Sequence, residues 1–222
     1  ELVAKNPDAQ LLKENLTDSY VSLGNSLSYS GEKMKAKSQY NKAILILELL
    51  VKDYPDVLSY ASSLSGAYRN VGMIHNELNQ QEDAIQAYRK SLKIRQRLFN
   101  SHPDVPHYAY GLSAVHHGIA VVSVALGKYD EAIEEYRKSI QIDEELVQEY
   151  PDVPQYQMAL AVASHSLGPP LTGLGKHEEA IKTYKRAIVL KEKLVADFPH
   201  APDYKSMLAL SYFSLGHSLE MI

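Results

Sequence analysis

Prolines stand at Pro7, Pro55, Pro103, Pro151 and Pro199, each 48 residues after the last. The register extends beyond proline. Nine residues after each comes Leu16, Leu64, Leu112, Leu160 and Leu208. Five residues after comes Leu12, then Tyr60, Tyr108, Tyr156 and Tyr204. Ala36, Ala84, Ala132 and Ala180 match as well, and so do Tyr40, Tyr88, Tyr136 and Tyr184. A fixed period of this length is the signature of a repeat architecture. The count gives one repeat domain, 1–222, with full repeats 7–54, 55–102, 103–150 and 151–198 and a half repeat 199–222. "ELVAKN" (1–6) aligns with "LLVKDY" (49–54) and reads as the tail of a preceding second helix. The chain opens at Glu1 with no initiator Met and no signal-like segment, so it is expected to be part of something longer.

Each repeat reads as two helices. In the fourth, Tyr156, Leu160, Ala163 and Leu167 follow the three-four spacing of one helical face. "LGKHEE" (174–179) supplies a Gly break and acidic residues suited to a new N-terminus. Ala180, Ile181, Tyr184, Ile188, Leu194 and Phe198 then mark the second helix. Pro199 ends it by forcing the preceding residue out of the α region. The Pro-Asp-Val-Pro joint therefore closes one helix and sets a second proline in the tolerated first turn of the next. Strand-like alternation is absent, and the fold class is all-α.

A content of 45% apolar and 23% charged residues belongs to a soluble folded chain. The net charge of -4 gives no basic field for nucleic acid or an anionic membrane. Without cysteine there are no disulfides or thiolate metal sites. "AILILELLV" (43–51) and "IAVVSVAL" (119–126) fall well short of the roughly 20 apolar residues that span a bilayer. A cytoplasmic location is expected.

The residues resemble the tetratricopeptide repeat. That family shows Leu-Gly in the first helix, Gly at its end, and Ala, an aromatic and a small residue in the second. Here Leu167, Gly168, Gly175, Ala180, Tyr184 and Ala187 take those places, as do Leu23, Gly24, Gly31, Ala36, Tyr40 and Ala43. The second repeat departs with Asn79 at the helix junction, the third with Ala120 in the Leu-Gly slot. The family's usual period is about 34 residues, so both helices are lengthened, as in forms similar to kinesin light chain. The joint also looks like repeat arrays of planctomycete-type bacteria, where they often follow a Ser/Thr protein kinase domain. The resemblance implies a right-handed superhelical solenoid of about nine antiparallel helices. Stacking would bury a continuous core that no single pair can make. The Leu series is expected in it, with Gly24, Gly72 and Gly168 as packing residues. Leu208, Tyr212, Leu215 and Leu219 lack a following partner and invite self-association.

A search for chemistry is negative. "GLGK" (173–176) lacks the earlier Gly of a phosphate loop, with Pro170 in its place, and His177 stands where Ser or Thr is needed. No Gly-x-Ser-x-Gly elbow or dinucleotide fingerprint occurs. His116 and His117 are adjacent, so on a helix they diverge by about 100°. His117 and His165 lie one repeat apart, on neighbouring first helices, and are read as polar lining. Neither an enzyme, a cofactor nor a metal is expected. Glu134-Glu135 and Glu144-Glu145 read as a solvated face. Arg89, Lys90, Lys93, Arg95 and Arg97 make the second repeat's helix basic and the third's is acid-rich, which suggests ion pairing between them. The basic strip is too short for nucleic acid.

In this family the first helices line a concave groove that takes extended or helical peptides. Carried over by position, the slot three before the Gly holds Val21, Arg69, His117, His165 and Phe213. The slot after it holds Asn25, Met73, Val121, Pro169 and His217, with Asn76 and Thr172 one turn farther. Asn25 and Asn70 are the types that hold a peptide backbone. A carboxylate clamp needs several cations, and only Arg69 is basic. The groove is thus mixed, mildly basic on His protonation, and aromatic at its C-terminal end. "SLGPPL" (166–171) must kink or end its helix. These features imply a non-enzymatic module that binds a protein or peptide partner. A regulatory tail of a Ser/Thr protein kinase and a self-associating spacer are the alternatives.

Overall fold

The computed structural model describes residues 7–221; the tail expected at 1–6 lies outside them. Among the described residues every regular element is helical. The order is α1 (Pro7–Tyr29), α2 (Lys33–Asp53), α3 (Leu58–Glu77), α4 (Gln81–Ser101) and α5 (Pro106–Ala125), then α6 (Tyr129–Glu149), α7 (Pro154–Ser166), α8 (Gly168–Gly173), α9 (His177–Asp197) and α10 (Pro202–Leu219). The chain forms two compact units, one through Tyr108 and the other from Ala109. The fold is an all-α array of helix pairs, of the solenoid class.

Both kinds of joint have a chemical cause. Pro106, Pro154 and Pro202 open α5, α7 and α10, where the missing N–H would have found no helical acceptor. The return turn inside each pair uses a left-handed residue, Gly31 (φ 82°), Gly127 (φ 71°) or Gly175 (φ 71°). Asn79 takes the same conformation at φ 57°, which Asn tolerates better than most residues. The hydrogen bonds are the same in all four turns. Glu32, Gln80, Lys128 and Lys176 each donate to the carbonyl five residues back, at 2.8–2.9 Å, the Schellman closure of a helix end. The departure at Asn79 therefore changes the residue and keeps the geometry.

In the first unit α1 packs on α2, α2 on α3 and α3 on α4. Its core holds Tyr40, Leu47, Leu50, Leu64, Val71 and Ile74. In the second unit α7 lies against α6 and α9, and α10 against α9. Ala120, Tyr136, Leu160, Leu167, Leu171 and Tyr184 form that core. Glycines let the helices meet. A Cβ on Gly24 would stand 2.6 Å from Tyr40, one on Gly72 3.0 Å from Tyr88, and one on Gly168 2.1 Å from Tyr184.

The Leu series is core only in its middle. Leu64, Leu112 and Leu160 are buried, but Leu16 is 44% exposed and Leu208 half-buried. Leu16 and Leu208 lie on α1 and α10, the first and last of the described helices.

The proline pair interrupts its helix without unwinding it. α7 stops at Ser166, α8 resumes at Gly168, and Leu167 between them stays in the right-handed region at φ -69°, ψ -24°. Pro169 and Pro170 have no N–H for the carbonyls of His165 and Ser166. The buried stripe survives through Leu167, Pro170 and Leu171. Ten helical segments thus occupy the described residues, α7 and α8 sharing one first-helix position.

Ion pairs differ from the expected pattern. Lys33–Glu77 (3.2 Å) ties α2 to α3, and Arg137–Glu179 (3.5 Å) with Arg186–Glu144 ties α6 to α9. Arg89, Lys93 and Arg97 have no ion-pair partner among the described residues. Arg95 leaves the basic strip altogether, being buried. Glu135 is also withdrawn from the solvated face, held by His116 Nδ1 at 2.6 Å and by Lys138. Burial pushes its carboxyl up, but those two hydrogen bonds outweigh it and hold the group below its ordinary value.

Candidate functional site

The first helices carry the residues expected to meet a partner, and the second helices hold them in place. In the first unit α1 and α3 bring Asn25, Arg69 and Asn70 together. The Asn25 Oδ1 accepts the Tyr40 hydroxyl at 2.8 Å and Asn70 Nδ2 at 3.4 Å. Arg69 donates from Nη2 to Asn70 Oδ1 at 3.3 Å. Asn25 and Arg69 are exposed, and Asn70 is half-buried. Burial raises the Tyr40 hydroxyl and pushes Tyr88 up to about 12, against the nearby Arg69 charge. Both phenols stay protonated, so Tyr40 serves as a donor that orients Asn25. Val21 packs half-buried on the core, while Met73 and Asn76 are half-buried on α3.

The second unit pairs each histidine with a tyrosine of its second helix. His117 lies 5.3 Å from the Tyr136 ring, and its Nε2 is 3.4 Å from Ser166 Oγ. His165 lies 5.3 Å from the Tyr184 ring. Its Nδ1 is 3.0 Å from Ser211 Oγ, which accepts Lys191 Nζ at 2.8 Å. Burial, with the Lys191 charge second, lowers His165 to about 4. The expectation of a groove made basic by His protonation therefore fails at His165, whose imidazole is held neutral by burial beside Lys191. Val121 packs on the core and Thr172 is half-buried on α8. Pro169 is exposed on α8, and His217 is exposed on α10 with Phe213, which is 74% exposed. Among the described residues no three His, Cys, Asp or Glu side chains gather as metal ligands. No described helix is long and apolar enough to cross a membrane.

Sequence reasoning missed two things. Tyr40 takes the aromatic place of the pattern, yet its hydroxyl also holds Asn25. The second is a slot in the second helices that holds Leu47, Arg95, Asp143 and Lys191, spaced by the period and all buried. Arg95 Nε donates to Ser65 Oγ at 3.1 Å, and its Nη1 and Nη2 reach Ser62 Oγ at 3.1 Å and Ser62 O at 3.3 Å. Burial lowers its guanidinium to about 10, still charged at neutral pH. The 48-residue spacing was the available signal, but one apolar, two basic and one acidic residue at a single register position carry no common polarity.

Sequence models described as tetratricopeptide repeat match residues 64–104, 113–146 and 171–193. Over those segments the chain carries tetratricopeptide repeats. No curated protein sequence matches it. Its fold is similar to the crystal structure of BtubC (BKLC) from P. vanneervenii, with a TM-score of 0.71 at 18% identity over 96% of this chain and 75% of that one. The nearly identical repeats of a putative kinesin light chain from Podosopora anserina give 0.56 at 18% identity, over 92% and 88%. The yeast histone chaperone Hif1, described as a scaffold protein, gives 0.55 at 11% identity, over 94% and 96%.

Proposed function

We propose that this chain is a non-enzymatic interaction scaffold, cytoplasmic, whose first-helix face holds an extended or helical segment of a partner protein. The observation that supports this reading is the Asn25–Asn70–Arg69 cluster. Two side-chain amides from neighbouring first helices meet at the surface beside an exposed cation. Amide side chains offer a donor and an acceptor together, which is what a peptide backbone requires. Tyr40 fixes Asn25 in advance, so less side-chain freedom is lost on binding.

The test is affinity capture from a lysate of the source organism. The parent chain is compared with a variant carrying Asn25→Ala, Arg69→Ala and Asn70→Ala, and bound proteins are identified by mass spectrometry. A partner kept by the parent and lost from the folded variant is the expected result. Partners held equally by both would move the contact off this face and overturn the reading.

A further inference from the structure

The buried slot of the second helices has a counterpart in the first repeat that holds no charge. Arg95 is met by Ser62 and Ser65, beside His107 and Tyr108. One period earlier these positions are Leu47, Glu14, Thr17, Ser59 and Tyr60. All five line one cavity of about 400 Å³, together with Gln10 and Asp18. Leu47 carries none of the donors that Arg95 supplies at this register position in the second repeat.

The lining is also more acidic than the one around Arg95. Glu14 replaces Ser62, and Asp18 stands one residue beyond Thr17 with no hydrogen-bond or ion-pair partner among the described residues. Glu14 accepts from Gln10 Nε2 at 3.1 Å and from the Tyr60 hydroxyl. At the wall Thr17 is 2% exposed, and its hydroxyl has no partner. A buried hydroxyl left unpaired is destabilising, which marks this wall as incompletely satisfied.

We infer that this cavity receives the guanidinium of an arginine side chain carried by a partner polypeptide. Guanidinium matches carboxylates through parallel N–H donors. The chain itself offers a precedent, because Arg95 sits buried at the equivalent register position between Ser62 and Ser65. The assignment deepens the reading of the first-helix face as the binding face and rests on it for the polypeptide that carries the arginine.

The experiment is an amide NMR titration with N-acetyl-arginine methylamide to about 20 mM, enough to reveal a dissociation constant in the millimolar range. The citrulline and lysine analogues are run beside it. Saturable shifts around Thr17, Asp18, Ser59 and Ser63, absent with citrulline and weaker with lysine, are expected. Glu14→Gln with Asp18→Asn weakens binding at least about tenfold, and Leu47→Arg abolishes it by filling the cavity from within. If Leu47→Arg does not fold, the double carboxamide variant decides. Overturning results are no saturable shift, equal binding of citrulline or lysine, or shifts indifferent to the carboxamide changes. A partner that needs Asn25 and Asn70 but binds the double carboxamide variant normally would sink the arginine site alone and leave the interaction reading intact.

Discussion

Gly168 lies so close to Tyr184 that a methyl group on it would stand 2.1 Å from the ring Cζ and 2.4 Å from the hydroxyl. Gly24 leaves 2.6 Å to Tyr40, and Gly72 leaves 3.0 Å to Tyr88. The third repeat has Ala120 in this slot, fully buried in the cluster that holds Tyr136, so a methyl is accommodated there. Replacement by Ala should therefore cost most at Gly168, less at Gly24 and least at Gly72, about 1–3 kcal/mol at the top of the series. Urea unfolding of the three variants measures the order. Equal losses would mean that helix propensity, which favours Ala, and not ring contact sets the outcome.

The two-helix units were legible because their punctuation is chemical. Pro106, Pro154 and Pro202 start helices where Pro can only start them, and Gly31, Gly127 and Gly175 adopt φ values that suit glycine. Core and site were legible less evenly. Leu16 shares the spacing of Leu64, yet it is 44% exposed on α1, the first described helix. Arg95 looks in sequence like any surface cation beside Lys93 and Arg97. What buries it is a pair of serines on α3, 30 and 33 residues earlier. Periodicity tells where a position faces; it does not tell whether a neighbour will satisfy a charge there. Asn25 and Arg69 were placed by register and Asn70 by residue type, and the structure brings the three side by side, whereas the Tyr40 hydroxyl was missed because its ring is buried.

Asn79 should separate conformation from identity. Its φ of 57° is the left-handed value that the glycines hold at the other three turns. Asn79→Gly is expected to be neutral or slightly stabilising. Asn79→Ala should lose about 1 kcal/mol, since alanine tolerates the left-handed region less well than asparagine. Thermal unfolding at one pH distinguishes them, and an alanine variant as stable as the parent would refute the strain.

Arg95 offers a direct contrast between burial and surface charge. Arg95→Ala removes a buried side chain with three hydrogen bonds to Ser62 and Ser65 and should cost about 3–5 kcal/mol. Arg95→Leu copies the Leu47 arrangement. Ser62 keeps His107 at 3.2 Å and Ser65 keeps Ser91 at 2.9 Å, so the loss should be no more than about half as large. Were Arg95 an exposed member of a basic strip, both changes would stay within about 0.5 kcal/mol. Chemical denaturation of the pair decides.

Asp143 should make stability fall as pH rises. It is 1% exposed, its Oδ1 has no hydrogen-bond partner, and burial lifts its pKa from 3.8 to about 7 despite a Ser113 hydrogen bond. Between those values the folded chain binds a proton that the unfolded chain has released, so the slope of unfolding free energy with pH is negative. The penalty is absent below about pH 4 and complete above about pH 7, where it reaches a few kcal/mol. His165 acts in the opposite sense. Its pKa falls from 6.5 to about 4, so its contribution rises with pH over that interval and masks part of the Asp143 slope. Lys191, lowered from 10.5 to about 8, adds a rising contribution only above pH 8. The clean measurement is the difference in melting temperature between Asp143→Asn and the parent, taken from pH 4 to pH 8, where His165 and Lys191 cancel. That difference should be most favourable to the variant at pH 8 and should shrink steadily toward pH 4. A difference flat across the range would show that Asp143 ionises at an ordinary carboxylate pKa, with solvent or a cation reaching its buried oxygen.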